Sequence, residues 1–236
     1  MRLLPKLSPT DDTLSFMNSR DHQIRSKPYL GKIYVEWAET ILKNIAPSGV
    51  TVEIGATNPV TRQVFSQGNV LGMDVMPFPT LAIQADATQL PFASCSITNL
   101  VATDTFHHLP DAEPFLAEVL RVLTVGGRLI LIEPWSNLFA NFIYRRFHPE
   151  PFDLSAGWTT SGDGPMTRAN GALPWIVFER DRKLLAERFP ALRITTLYQL
   201  MPFSYLVQVV RDLGLGCLER FTNSFAKLNR SLNIVE

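Results

Sequence analysis

The chain has 236 residues, 46% hydrophobic and 19% charged, a composition that supports a packed core and argues against a disordered chain. Lys+Arg and Asp+Glu both number 22, so the formal net charge is zero. That balance argues against a long nucleic-acid partner, whose phosphates require a basic excess.

The opening "MRLLPKLSPTDD" is interrupted by Pro5 and Lys6 before any apolar run develops, so no secretory leader is expected. No apolar stretch approaches the ~18 residues of a membrane span. Cys95 and Cys217 match no metal or redox spacing, and a reduced cytoplasmic setting fits. Residues 8–30 are polar, with Pro9 and Pro28 as breakers. Ile33, Trp37, Ile41 and Ile45 then form one apolar stripe that predicts a helix over 33–45, stopped by Pro47, Ser48 and Gly49. "VTVEIG" (50–55) alternates as a strand does, and Asn58-Pro59 reads as a helix N-cap followed by proline at the first helical position. Strands are expected at 69–75, 81–86 and 96–104, and an amphipathic helix at 111–123 with Phe115, Val119 and Val122 inward. Gly126-Gly127 makes a stop and turn, and 127–134 is a buried strand.

This alternation predicts a doubly wound, Rossmann-like α/β fold with a mostly parallel sheet covered on both faces. The expected division is an N-terminal helical segment (1–46), a cofactor-binding α/β core (47–134), an aromatic-rich insertion or lid after the fifth strand (135–175), and the remainder of the α/β domain (176–236). That last part should hold a helix near 176–189, a strand near 193–201 and a mostly helical tail. "LNIVE" looks like the start of a strand, so the final strand is expected to be short or missing.

Gly55, Asp74, Asp86 and Asp104 close successive strands, and in a parallel sheet those ends lie along one crevice. A carboxylate closing the second strand can accept both hydroxyls of a ribose. Any one of these aspartates reads as a turn or cap residue; all of them in register read as a binding edge.

"VEIGATNP", "LGMDV", "QADATQLPFASCSITNLVATDTFHHL" and "EVLRVLTVGGRLILIEP" together resemble the successive motifs of class I S-adenosylmethionine-dependent methyltransferases of the type 11-like kind, over roughly 48–135. The resemblance implies S-adenosyl-L-methionine as cofactor. It puts Glu53, Gly55, Ala56 and Thr57 around the methionine part, Asp74 and Val75 at the ribose, and Asp86 and Ala87 beside the adenine. Thr103, Asp104 and Thr105 would line the floor near the sulfonium. The implied reaction is methyl transfer to an unidentified small-molecule acceptor, with no nucleic acid or membrane span involved. Against the family form acidic-x-Gly-x-Gly-x-Gly, Thr57 and Pro59 replace the second and third glycines. If position 57 needs a positive φ, threonine there is strained by about 1–3 kcal/mol. A catalytically silent scaffold or regulator with weakened cofactor binding is therefore the alternative. A nicotinamide oxidoreductase would want G-x-G-x-x-G, which "GATNPV" does not supply.

His108 and His148 are the candidate catalytic bases, each weighed against a purely structural histidine. "FHPEPFD" also offers Glu150 and Asp153, and "ANGALPWIVFERD" offers Asn170, Trp175, Arg180 and Asp181. The insertion is similar to a poorly characterised bacterial branch of the same superfamily. The D-x-x-H-H run of Asp104, His107 and His108 suggests no metal, because ligands from one tight turn cannot surround an ion. Trp135, Phe139, Phe142, Tyr144, Phe147, Trp158 and Trp175 form either an acceptor pocket or the lid's own core.

Overall fold

The computed structural model describes residues 22, 28–66, 70–78, 81, 83–147, 150–162, 164, 168–200 and 230–235. Helix α1 spans Pro28–Asn44 and buries Ile33, Trp37 and Ile41, the expected stripe. Pro28 opens this helix instead of breaking the chain before it, since a proline in the first turn forfeits no intrahelical bond. Then follow β1 (Thr51–Ile54), α2 (Pro59–Ser66), β2 (Val70–Asp74), β3 (Ile83–Gln84), β4 (Ile97–Thr103), α3 (Ala112–Val122) and β5 (Leu123–Pro134). The rest comprises α4 (Leu138–Phe147), α5 (Arg182–Arg188), β6 (Ile194–Leu200) and β7 (Arg230–Val235).

The strands form a single seven-stranded sheet in the order β3-β2-β1-β4-β5-β7-β6. Strands β1 to β5 pair in parallel, and β7 runs antiparallel between β5 and β6. The final strand is thus present, six residues long, and it joins the two halves of the sheet. The expected helical tail falls within 201–229, outside the described residues.

Alternation along the central strands fixes which layer each residue enters. Leu129 and Leu131 of β5 pack with α3 and the insertion, whereas Ile130 and Ile132 pack with Ile33, Trp37, Ile41 and Phe65 of α1 and α2. Three boundaries differ from the sequence pattern. Strand β5 begins at Leu123, directly after α3, so Gly126-Gly127 lies inside the strand instead of stopping the chain before it. Strand β3 is only two residues long, because the chain turns at Asp86, whose Oδ1 accepts from the Thr88 N–H and hydroxyl, each at 2.8 Å. The helix expected at 176–189 is broken: a wide turn over Ile176–Arg180 is closed by the Asp181 N–H on the Ile176 carbonyl at 2.9 Å, and α5 follows it.

Trp135, Tyr144, Phe152 and Trp158 of the insertion are buried in the same core as α3, with Trp175 packed against it. Tyr144 stacks on Phe152 at 4.6 Å between ring centroids. Phe142 is exposed, and the side chains of Phe139 and Phe147 lie outside the described residues. The buried aromatics of the insertion therefore pack as part of the main core and not as a separate core of their own. Among the described residues no helix is long and apolar enough to cross a membrane.

Candidate active site

Because β1 to β4 run parallel, their carboxyl ends open on one edge of the sheet. Gly55 follows β1 with φ +74°, and a Cβ added there would lie 2.1 Å from Thr105 Oγ1. Glycine is thus required twice, by its left-handed backbone and by the close approach of the turn after β4. The Gly55 and Ala56 N–H groups both donate to the Met73 carbonyl, at 2.9 and 3.1 Å. The Thr57 N–H donates to the Gly55 carbonyl at 2.8 Å, and Thr57 is not among the positive-φ residues. The turn therefore takes its left-handed conformation at the glycine this sequence kept, and the strain envisaged at Thr57 does not arise.

Asn58 Oδ1 then accepts from the N–H groups of Val60 and Thr61, at 2.9 and 3.3 Å, and caps α2, which Pro59 opens. Its Nδ2 is buried with no hydrogen-bond partner among the described residues, an uncommitted donor beside the turn. Glu53 sits lower in the core. It is 3% exposed and accepts from Thr61 Oγ1 at 3.1 Å, and burial pushes its carboxyl up to about 8.

Asp74 is buried and holds the next turn through Oδ1, which accepts from the Met76 N–H at 2.8 Å. The Val75 carbonyl accepts from Gln84 Nε2 at 3.1 Å, and Ala87 is buried behind the Asp86 turn. These residues line up at the ends of β2 and β3, as their positions in the sequence suggested.

The turn after β4 is the most constrained. Asp104 has φ +51°, a left-handed conformation that costs about 1–3 kcal/mol and that aspartate tolerates better than most residues. It is held because its N–H donates to the Ile132 carbonyl at 3.0 Å, while the N–H groups of Thr105 and Phe106 both donate to Glu133 Oε1 at 2.8 Å. Thr105 Oγ1 donates to the Thr103 carbonyl at 3.0 Å, and the buried Thr103 hydroxyl has no partner among the described residues. Glu133, near the end of β5 and wholly buried, also reaches His107: its Oε2 lies 2.6 Å from Nδ1.

His107 and His108 occupy a short 3-10 turn, Phe106–His108, with ring centroids 4.2 Å apart. His107 Nε2 is 3.4 Å from Glu150 Oε2, and His108 Nε2 is 3.7 Å from Glu150 Oε1. His108 Nδ1 lies 2.7 Å from the Arg168 carbonyl oxygen, so it is the donor of that bond. Burial disfavours charge on His107, but hydrogen bonds to Glu133 and Glu150 outweigh it and lift the imidazole to about 10. Burial, reinforced by the neighbouring His107, holds His108 below the usual imidazole range.

Asn170 fastens the insertion to this turn. Its N–H donates to the His107 carbonyl at 2.9 Å; its Oδ1 accepts from the N–H groups of Asp153 and Ala172, at 3.0 and 3.1 Å, and its Nδ2 donates to the Asp153 carbonyl at 3.0 Å. Arg180 pairs with Asp181 at 2.7 Å and donates to the carbonyls of Leu154 and Ala156, while Trp158 Nε1 donates to Asp181 Oδ2 at 2.9 Å. Those bonds tie Leu154, Ala156 and Trp158 of the insertion to the end of the wide turn that follows it. His148 lies outside the described residues. Glu133 is the residue that the sequence reading missed. Its signal was an acid closing the otherwise aliphatic run "LILIEP", a position that burial makes costly without a partner.

The family model described as a methyltransferase domain matches residues 53–131. Among solved structures the chain is similar to a protein, described provisionally as a methyltransferase, in complex with the Trm112 methyltransferase activator from Haloferax volcanii. That match has a TM-score of 0.56 at 14% identity and covers 97% of this chain and 98% of the other. A methyltransferase from Anabaena variabilis, assigned provisionally to an antibiotic biosynthesis pathway, gives 0.54 at 13% identity over 86% and 97% of the two chains. The geranyl diphosphate C-methyltransferase of Streptomyces coelicolor, solved with Mg2+, geranyl diphosphate and S-adenosyl-L-homocysteine, gives 0.52 at 14% identity over 96% and 84%. At such identities these likenesses establish the fold. No curated protein matches the chain significantly.

Proposed function

We propose that this chain, whose core is a class I S-adenosylmethionine-dependent methyltransferase domain, methylates a small-molecule acceptor with S-adenosyl-L-methionine. The observation that supports this reading is the turn at Gly55–Asn58, which uses a single left-handed residue, Gly55, and sits on the same sheet edge as Asp74, Asp86 and Asp104.

The residues fit the cofactor by their chemistry. Asn58 Nδ2 is a buried donor still without a partner, beside the N-terminus of α2, and suits the methionine carboxylate. Asp74 is assigned to the ribose hydroxyls with Val75 beside it, and Asp86 with Ala87 to the adenine edge. Gly55, Ala56 and Thr57 are assigned to the methionine part, and Thr103, Asp104 and Thr105 to the floor below the sulfonium. Glu53 acts from behind, through Thr61 and α2. When bound, the cofactor supplies a methyl group on a sulfonium, open to displacement along the S–C axis. The protein's work is then chiefly to position the acceptor. His108, on the turn after β4 and facing the insertion, is assigned to the acceptor side. The silent-scaffold alternative drew its support from the altered turn: at Thr57 the backbone carries no strain, and at Pro59, where a backbone donor is lost, the neighbouring Asn58 Nδ2 offers another.

Calorimetric titration with S-adenosyl-L-methionine and S-adenosyl-L-homocysteine tests this reading, with Asp74→Ala as control. Micromolar binding that the control loses supports it. A folded protein that binds neither ligand at millimolar concentration overturns it.

A further inference from the structure

We propose that His107, His108 and Glu150 form a binding site for a divalent transition-metal ion. The ion's open coordination positions would take an oxygen of the acceptor. The role assigned to the acceptor rests on the methyl-transfer reading; the ion site does not.

The ligand atoms of these three residues lie within 4.8 Å of one another. Each imidazole has its Nδ1 engaged, His107 with Glu133 Oε2 at 2.6 Å and His108 with the Arg168 carbonyl at 2.7 Å. Metal-ligating histidines are held in this way: an oxygen on one nitrogen fixes the ring and turns the other nitrogen towards the ion. Here both Nε2 atoms turn towards the two oxygens of a single carboxylate, at 3.4 and 3.7 Å. Charge-assisted hydrogen bonds are shorter, about 2.7–2.9 Å. Two ligands each about 2.1 Å from one ion, at angles between a right angle and the tetrahedral value, stand roughly 3.0–3.4 Å apart. Both contacts to Glu150 are longer than such a hydrogen bond, and the 3.4 Å one matches the spacing of two ligands around an ion, which on binding takes the place of the Nε2 proton of His107. The His107 and His108 rings lie against each other, tilted by 39° with centroids 4.2 Å apart, so their two Nε2 atoms stay within 4.8 Å.

A tight turn by itself cannot surround an ion, but Glu150 arrives from the insertion and supplies a separate direction. It is 35% exposed, which leaves a path for the ion and for a further ligand. The neighbouring trio of Asp104, His107 and Glu133 is equally compact but does not qualify. Both Glu133 oxygens and His107 Nδ1 are already committed to one another and to the N–H groups of Thr105 and Phe106. Two imidazoles and one carboxylate suit Zn2+ or another first-row divalent ion and leave coordination positions open. Such an ion polarises a bound hydroxyl or carboxylate oxygen and eases loss of a hydroxyl proton to solvent. The acceptor class that follows is an oxygen-bearing small molecule able to bind a metal. The ion would also tie the insertion to the strand-end turn, alongside Asn170.

The test uses the full chain stripped with chelator and dialysed. Calorimetric titration with Zn2+ and metal analysis after gel filtration should give one ion per chain. Glu150→Gln and His108→Ala should each weaken binding at least tenfold, while Glu187→Gln on the exposed face of α5 should not. Co2+ substituted into the wild-type chain should show a visible absorption band that Glu150→Gln loses, a readout independent of any change in folding stability. No stoichiometric Zn2+ binding, or equal binding by the three variants, overturns the proposal. Titration with S-adenosyl-L-methionine in chelator separates the two readings. Cofactor binding without an ion site leaves methyl transfer standing alone, and an ion site without cofactor binding leaves the metal centre standing alone.

Discussion

His107 Nδ1 and Glu133 Oε2 lie 2.6 Å apart, with the histidine 3% exposed and the carboxylate wholly buried. The pair joins the turn after β4 to the end of β5, and Glu133 Oε1 simultaneously accepts the N–H groups of Thr105 and Phe106. One side chain thus shapes the turn that carries Asp104 and orients the imidazole that faces the insertion.

Glu133→Gln should therefore destabilise the protein by about 3–5 kcal/mol, as breaking a buried ion pair does. For a chain of this size that is a fall in melting temperature of roughly 6–20 °C, measurable by calorimetry. Glu133→Ala should cost more, because it also strands two backbone donors. A glutamine variant that melts like the wild type would show that the carboxylate charge contributes nothing there.

Gly55→Ala should abolish cofactor binding and destabilise the chain, since the new methyl group would meet Thr105 Oγ1 at 2.1 Å in a left-handed backbone. Thr57→Gly, which restores the family glycine, should bring no tighter binding, because Thr57 already has an ordinary backbone. It should instead lose up to about 1 kcal/mol through added chain entropy. Tighter binding by Thr57→Gly would show that the turn had to change on loading.

Asn58→Asp separates the two functions of this side chain. Aspartate keeps the oxygen that caps α2, so the unfolding free energy should stay within about 1 kcal/mol of wild type. It lacks Nδ2 and adds a negative charge where a carboxylate is expected. Binding of S-adenosyl-L-methionine should therefore fall at least tenfold. Unaltered affinity would remove Asn58 from the cofactor site.

Glu53 predicts a pH dependence. Its carboxyl titrates near 4.5 when exposed and is pushed up to about 8 in the folded chain, mainly by burial. Between those values the folded state holds a proton that the unfolded state has released, so stability falls as pH rises from about 4.5 to about 8 and then levels. Glu53→Gln should remove this slope and gain most over wild type above pH 8. Parallel melting curves for the two proteins from pH 5 to 9 would contradict the assignment.

Local pattern sufficed for most of the fold. The Ile33–Trp37–Ile41 stripe, the aliphatic strands and the Asn58-Pro59 helix start each follow from neighbours within a few residues, where backbone sterics and side-chain period act directly. The ends of β1 to β4 were legible for the same reason, because a parallel sheet brings them to one edge whatever else the chain does. Tertiary structure decided what depends on contacts distant in sequence. It made Gly55 irreplaceable through Thr105, 50 residues later, and relieved Thr57. It joined His107 to Glu133, 26 residues away, and brought Glu150 and Arg168 to the same two imidazoles. It also paired β7 between β5 and β6. Burying a charge or closing a strand pair is favourable only when a particular distant partner arrives. A linear sequence shows that such partners exist but not which of them meet.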